Sequence, residues 1–172
     1  MYATEAHGWS LSTLYKHSEA TGMGCGLLVI KARGYDQMII GAFLTHPVYP
    51  HSHHFGTGEC FLFSCCFDLN DNLNDDHLDD DGKRNSGDKG NQGKQILTKY
   101  GATGKNDYFI LANQHDLAIG CGEGRFGLWI GGRGVSKGSS SKCLTYSNPH
   151  SLLGPEAKED FDIEAIELWS LV

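Results

Sequence analysis

The chain has 172 residues and a mass of 18.8 kDa, enough for one domain with a single hydrophobic core and too little for two ordinary domains. Hydrophobic residues make up 40%, and 23 glycines stand against four prolines, which excludes a wholly disordered chain and favours turn-rich β structure over a helical bundle. The net charge of −7 excludes the basic surface that nucleic-acid binding requires, and the sequence shows neither a secretion signal nor an apolar stretch of membrane-spanning length.

The N-terminal third predicts a helix followed by a β-hairpin. Ser10 can cap a helix over about 10–19, where apolar residues recur at helical spacing. Two apolar runs, Gly26–Lys31 and Gln37–Leu44, flank a glycine-containing turn and predict the hairpin. Because these runs are almost continuously apolar, we expect both faces of their strands to be covered. A third strand is predicted to begin at about Gly58.

The composition changes abruptly over residues 68–95. This segment holds eight Asp and four Lys or Arg, which is −4 of the net −7. A segment so polar cannot offset the entropy lost on ordering, so we expect an acidic, disordered insertion between two strands. The insertion interrupts a single domain that spans residues 1–172.

Short apolar runs at roughly ten-residue spacing follow the insertion, with Gly, Asn and Asp between them. This spacing is typical of a β-sandwich. The predicted strands are Ile96–Tyr100, Tyr108–Ala112, Leu117–Ile119 and Gly127–Ile130. Near the C-terminus, Asp160–Glu164 alternates as a strand does. A shift in that alternation at Ala165–Glu167 predicts a bulge or a single turn.

Six cysteines without a secretion signal indicate the reduced thiols of an intracellular protein. Cys121 and Cys143 lie in polar contexts that predict loops, with Arg125 and Lys142 respectively close by in the sequence. A neighbouring positive charge lowers a thiol pKa, so these two cysteines, together with Cys60, are the candidate reactive thiols. An alternative function is therefore a thiol-based peroxide scavenger or another, uncharacterised enzyme.

Two glycine motifs lack the structural context that their chemistry needs. Gly122–Gly127 has GxGxxG spacing, but no helix is predicted after it, so tight turns are a better interpretation than dinucleotide binding. Gly134–Gly138 has the GxSxG spacing of a nucleophile elbow without a following helix or a correctly ordered acid and histidine. We therefore expect a flexible Gly/Ser loop at this second motif.

No metal or cofactor is assigned from the sequence. Nitrogen and sulfur ligands are plentiful in one stretch, namely His46, His51, His53, His54, Cys60, Cys65 and Cys66. Residues an odd number apart on a strand point to opposite faces, which separates Cys65 from both Cys60 and Cys66. The Asp-rich stretch 68–81 departs from a calcium-binding EF-hand, because Leu73 and Asp79 stand where Gly and Glu are required.

Glu59 is an acidic residue at the predicted start of an apolar strand. Its carboxylate could accept hydrogen bonds from backbone amides, form an ion pair with Arg125, or act as a general base. Because no second catalytic residue accompanies it, we favour a structural role.

Eight segments, taken together, resemble the TLDc domain of oxidation-resistance proteins in order and spacing. They are His7–Leu11, Leu27–Ile30, Ile40–Phe43, Tyr49–Pro50, Phe55–Phe63, Asn106–Ile110, Gly122–Trp129 and Glu159–Trp169. The resemblance runs from about residue 2 to residue 171, and its most specific parts are the GTGE and GEGRFGLW segments. Family domains usually begin with a further helical segment, so this chain is expected to be short at its N-terminus.

The resemblance implies a mainly β, α+β fold, a sandwich of two antiparallel sheets flanked by short helices. It implies a non-catalytic role in protection against oxidative stress, through binding to the vacuolar-type proton-pumping ATPase and regulation of its assembly. The expected location is the cytoplasm, the periphery of vacuolar or lysosomal membranes, or mitochondria. The residues expected to bind the partner or to shape the loop are Glu59, Gly122, Glu123, Gly124, Arg125, Phe126 and Gly127.

Overall fold

A computed structural model describes residues 1–20, 24–68 and 94–171 of the chain. Its elements are, in order, β1 (Tyr2–Ala3), α1 (Thr4–His7), α2 (Leu11–Ala20), β2 (Cys25–Ala32), β3 (Met38–Leu44), β4 (Phe61–Asp68), β5 (Lys94–Gly101), β6 (Ile110–Ala112), β7 (Leu117–Gly122), β8 (Arg125–Gly131), β9 (Lys137–Ser139) and β10 (Asp160–Leu171). Neighbouring strands pair in antiparallel fashion throughout. The expected mainly β, α+β fold is confirmed.

The long strand β10 joins the two sheets. One sheet has the order β5-β4-β3-β2-β10 and the other β10-β9-β8-β7-β6, while the short β1 also pairs with β10. The pairing of β10 with β2 shifts register between Ile163 and Ala165. An extra residue in a strand reverses its inward and outward faces, so Phe161 and Ile163 are buried before the bulge, and Ile166 and Leu168 after it. The predicted irregularity is confirmed as a bulge.

One core lies between the sheets. Its largest fully buried side chains are Tyr2, Leu14, Leu28, Ile30, Ile40, Leu44, Leu62, Ile110, Leu117, Ile119, Leu128 and Tyr146. The outward side chains of β2 are only half-buried, so the expectation that both strand faces are covered was wrong for β2. On that outer face the rings of Phe43 and Phe61 stack with centroids 5.0 Å apart. The Lys99 ammonium lies 4.3 Å from the Phe61 ring centroid and covers part of the apolar face.

Helix α2 begins as the sequence predicts. The backbone N–H of Thr13 donates to the Ser10 hydroxyl at 3.3 Å, and the N–H of Leu14 donates to the Ser10 carbonyl at 3.0 Å, so Ser10 is the N-cap. The helix buries Leu11, Leu14 and Tyr15 against the core. Within the described ranges, no helix is long and apolar enough to cross a bilayer.

The strands that flank the acidic segment extend further than the sequence predicts. Strand β4 begins at Phe61 rather than near Gly58, and Glu59 instead lies in a turn. The ladder between β4 and β5 continues to the pair Asp68 and Lys94, so the ends of the predicted insertion belong to strands. The remainder of that predicted disordered insertion, residues 69–93, lies outside the described residues.

The predicted flexible loop at Gly134–Gly138 is also corrected, because its end forms β9 between β8 and β10. A Cβ atom on Gly138 would lie 2.4 Å from Cε2 of Phe161, so only glycine lets that buried ring approach the strand. The following Ser140 is fully buried and donates from its hydroxyl to the Gly127 carbonyl at 2.7 Å. Polar composition suggested a loop here, but tertiary hydrogen bonds and close packing stabilise a strand.

Gly41, in the centre of β3, provides a test of sheet packing. A Cβ atom there would lie 2.0 Å from the Leu28 carbonyl oxygen and 2.6 Å from Cζ of Phe63. We expect Gly41→Ala to lower the free energy of unfolding by about 3 kcal/mol, because the backbone oxygen cannot move aside within the ladder. The control is Gly101→Ala in β5, where a Cβ has no neighbour within 4 Å. Urea unfolding of both variants makes the comparison, and an equal effect of the two would contradict this packing.

Candidate functional site

The GEGRFG segment forms the tight hairpin between β7 and β8. Gly122 pairs with Arg125, which leaves Glu123 and Gly124 as a two-residue loop. Glu123 has φ 53° and Gly124 has φ 73°, so both adopt the left-handed conformation of a type I′ turn. The structure thus brings together all the predicted loop residues from Gly122 to Gly127. The glycine motif itself forms a β-hairpin and does not precede a helix.

The base of this hairpin is packed and hydrogen-bonded. A Cβ atom on Gly127 would lie 2.5 Å from Cδ1 of Leu62, and one on Gly122 would lie 2.9 Å from Cβ of Leu144. The Phe126 carbonyl accepts hydrogen bonds from the N–H of Ser141 at 3.0 Å and from its hydroxyl at 3.2 Å. These glycines therefore serve close packing, whereas the side chains of Glu123 and Arg125 are exposed at the tip.

A cleft of about 540 Å³ lies beside the hairpin. Its lining residues are Thr103, Lys105, Gly122, Glu123, Arg125, Lys142, Cys143, Leu144, Tyr146, Ser147, Asn148 and Pro149. Sequence reasoning did not place Lys105 in the site, and it considered Lys142 only as a neighbour of Cys143. Their positions are distant in the chain and carry no shared motif, so no local signal could have joined them.

Hydrogen bonds from the hydroxyls of buried Thr145 and exposed Thr103 hold the lining of the cleft in place. The Thr145 hydroxyl lies 2.7 Å from the Cys121 carbonyl oxygen and accepts a hydrogen bond from the Cys121 N–H at 3.1 Å. It also lies 2.9 Å from Oδ1 of Asn106. The Thr103 hydroxyl donates to the Leu144 carbonyl at 2.7 Å. Strand β7 is thereby connected to both segments that carry the cleft lysines.

The charged side chains at the hairpin do not pair as the sequence suggested. The Arg125 guanidinium lies 3.5 Å from the carboxylate of Glu159, so its partner is Glu159 and not Glu59. Glu59 is exposed in the turn before β4, where its backbone N–H donates to the Thr57 hydroxyl at 3.3 Å, and it does not line the cleft. The structure therefore separates Glu59 from the hairpin.

A family model for the TLDc domain matches residues 1–172, the whole of the chain. The chain belongs to the TLDc family. Its hairpin carries the GEGRFGLW segment on which the resemblance chiefly rests, and the family assignment agrees with the two-sheet fold.

Two curated relatives of this TLDc chain illustrate the extent of the similarity. The chain is 34% identical over 169 residues to nuclear receptor coactivator 7 of Gallus gallus. This alignment covers 98% of the chain and 15% of that relative. It is 34% identical over 187 residues to oxidation resistance protein 1 of Candida glabrata. This alignment covers 98% of the chain and 66% of that relative. The chain thus spans less than two thirds of the length of these proteins.

The candidate reactive thiols of this TLDc domain are buried. Of the two cysteines predicted in polar loops, Cys121 instead lies in a strand, while Cys143 lies outside the strands but is buried. Cys121 lies in β7 and is 7% exposed, Cys143 is 6% exposed and Cys60 is 1% exposed. Burial raises the pKa of Cys121 to about 12, and burial also raises the pKa of Cys143. The Cys143 thiol donates to Oδ1 of Asn148 at 3.5 Å. At neutral pH the environments of Cys121 and Cys143 favour the protonated and less nucleophilic thiol.

The histidine and cysteine side chains considered in the sequence as metal ligands do not converge. Across residues 1–20, 24–68 and 94–171, no group of three or more His, Cys, Asp or Glu side chains could hold a metal ion. His51 and His53 form a ring contact with centroids 4.2 Å apart, while His54 lies against the Tyr108 ring at 4.6 Å. These histidines make aromatic contacts on the surface of the TLDc domain. The Asp-rich calcium candidate falls mostly outside the described residues.

The positive φ of Glu123 gives a stability test for the hairpin. We expect Glu123→Asn to raise the free energy of unfolding by about 0.5–1 kcal/mol, because asparagine tolerates the left-handed conformation of a type I′ turn. Glu123→Ala should give no such gain, because alanine lacks the short polar side chain with which asparagine hydrogen-bonds the local backbone. Chemical denaturation measures both, with Glu156→Asn as a control at another exposed glutamate. A loss of stability in Glu123→Asn would argue against the turn geometry.

Burial of the thiols predicts slow alkylation. At neutral pH we expect Cys121 and Cys143 to react with iodoacetamide roughly 100-fold more slowly than the half-exposed Cys25, which mass spectrometry can follow for each cysteine. Since the pKa of Cys121 rises on folding, its contribution to stability is fully present below pH 9.0 and is lost as the pH rises to about 12. Equal labelling rates for Cys121 and Cys25 in the folded chain would contradict the buried environment.

Proposed function

We propose that this TLDc domain is a non-catalytic binding module in protection against oxidative stress. Its proposed partner is the vacuolar-type proton-pumping ATPase, whose assembly it would regulate. Two findings support the proposal: membership of the TLDc family, and similarity to relatives named for oxidation resistance. The observation that supports a particular contact surface is the geometry of the hairpin, which presents exposed charged side chains on a tightly packed base.

A preformed hairpin suits partner recognition, because little conformational entropy is lost when a rigid loop binds. Glu123 and Arg125 project from the turn, whereas Gly122 and Gly127 are required for packing beneath it. Binding and folding are thus assigned to different residues of one motif. The ion pair at this tip, between Arg125 and Glu159, joins side chains that are 60% and 59% exposed, and such pairs contribute little to stability.

The alternative function, a peroxide scavenger that uses a reactive thiol, has less support. It requires an accessible thiolate, yet Cys60, Cys121 and Cys143 are all buried. Burial raises the pKa values of Cys121 and Cys143, which opposes thiolate formation in both. We therefore favour the binding module over the scavenger.

The proposed function is tested by cosedimentation of the 172-residue chain with membranes that carry the vacuolar-type ATPase, with and without ATP. We expect the wild-type chain to bind, and expect Glu123→Ala and Arg125→Ala each to weaken binding about fivefold while their unfolding free energies change by less than about 1 kcal/mol. The matched controls are Glu156→Ala and Arg133→Ala, which remove the same exposed charges elsewhere.

Membranes stripped of the soluble ATPase sector provide the specificity control. Equal binding to stripped and intact membranes would contradict recognition of the ATPase. Binding that falls only in proportion to lost stability would contradict the assignment of the hairpin tip as the contact surface.

A further inference from the structure

The cleft beside the hairpin is positively charged although the chain as a whole is acidic. Lys105, Arg125 and Lys142 line it, against Glu123 as the acidic residue of the lining, whereas the complete chain has a net charge of −7. All three cations are exposed. In the part of the chain that the structure describes, no carboxylate lies within ion-pair distance of Lys105 or Lys142.

Arg125, the third cation of the cleft, pairs with Glu159 but can exchange this carboxylate for another. The Arg125 guanidinium lies 3.5 Å from the Glu159 carboxylate, and the two side chains are 60% and 59% exposed. An exposed pair of this kind contributes little, so an incoming carboxylate can replace Glu159 at small cost. A guanidinium group can also bind two carboxylates from different directions.

The lining also offers apolar contacts beside its charged groups. Leu144 is half-buried and Pro149 is exposed, and both line the cleft. The hydroxyl of Thr103 keeps Leu144 in position by donating to its carbonyl oxygen. Apolar side chains placed among cations favour a ligand that carries both carboxylates and at least one apolar group.

We propose that this cleft binds an extended acidic peptide segment of a protein partner. Carboxylates of the segment pair with Lys105, Arg125 and Lys142, and an apolar side chain packs on Leu144 and Pro149. This inference rests on the proposed function, because it specifies the chemistry of the surface that includes the same hairpin.

The observations favour an acidic peptide over a larger polyanion. Nucleic acids and anionic membranes need a broad basic surface, whereas these three cations line a concave site on a chain with an acid excess. A short peptide can enter the cleft without bringing its remaining charges against the acidic surface. The local field then raises the association rate for acidic segments, and this effect weakens with salt.

The test uses the 172-residue chain and a short fluorescein-labelled peptide of glutamate and serine with one central leucine. Fluorescence polarisation measures its affinity beside that of a peptide in which glutamine replaces every glutamate. We expect the glutamate peptide to bind at least tenfold more tightly at low salt. The double variant Lys105→Gln/Lys142→Gln should lose about fivefold to tenfold in affinity, as expected for two exposed charge pairs.

The matched control is Lys16→Gln/Arg133→Gln, which removes the same charge from exposed positions outside the cleft. Equal losses in the control and in the cleft variant would overturn the proposal, as would equal affinity for the two peptides. Phosphatidylserine vesicles form a further arm. If the cleft lysines were needed for vesicle binding and not for peptide binding, the acidic-peptide assignment would be wrong.

The same variants in the membrane assay separate this proposal from the function on which it rests. If the chain binds the glutamate peptide through Lys105 and Lys142 but does not bind the ATPase, the cleft assignment stands and the partner is a different acidic protein. In the opposite outcome, the chain binds the ATPase membranes, and the lysine variant binds both the membranes and the glutamate peptide as tightly as the wild type does. The proposed function then stands and the cleft assignment fails.

Discussion

The bulge in β10 is the constraint on which the two-sheet arrangement depends. Before it, β10 pairs with β9, and after it with β2, so one strand belongs to both sheets. The shift between Ile163 and Ala165 lets the strand keep apolar side chains facing the core along both halves. Without that shift, either Phe161 or Ile166 would face solvent. Strand β9 then positions β8, and β8 forms the hairpin with β7 that shapes the candidate site.

The polar segment between β9 and β10 is organised by buried hydroxyl and amide groups in place of regular strand pairing. Ser140 receives a hydrogen bond from the Leu152 N–H at 2.9 Å while donating to the Gly127 carbonyl. The side-chain amide of Asn148 donates to the Ser141 carbonyl at 2.8 Å. Because an unpaired polar group is costly in the interior, these contacts specify one conformation for the segment. That conformation places Lys142 and Leu144 at the cleft.

The hairpin separates the residues that maintain the fold from those available to a partner. Gly122 and Gly127 permit approaches that a Cβ would block, while Glu123 and Arg125 remain at the surface. A backbone in the left-handed conformation at Glu123 is unusual for a residue with a side chain, and it keeps a carboxylate at the edge of the cleft. Cys121 and Cys143 belong with the residues that maintain the fold, because both are buried at the hairpin.

Much of the fold could be predicted from the sequence by itself, because periodicity and capping are local properties. Ser10 marked the start of α2, apolar runs located most strands, and the altered alternation near Ala165 located the bulge. Predictions from local sequence patterns failed where the composition of a segment does not match its environment in the folded chain. The Gly/Ser stretch that became β9 is polar by composition but is stabilised by contacts with distant residues.

The sequence by itself determined the family and the hairpin motif, since glycine spacing records where the backbone must turn or pack closely. Only the tertiary structure decided which side chains share the cleft. Lys105, Arg125 and Lys142 come from three separate segments, and long-range pairing and buried hydroxyls bring them together. Tertiary packing likewise decided that Arg125 pairs with Glu159 and that Cys121 is buried, because neither charge proximity nor exposure follows from separation along the chain.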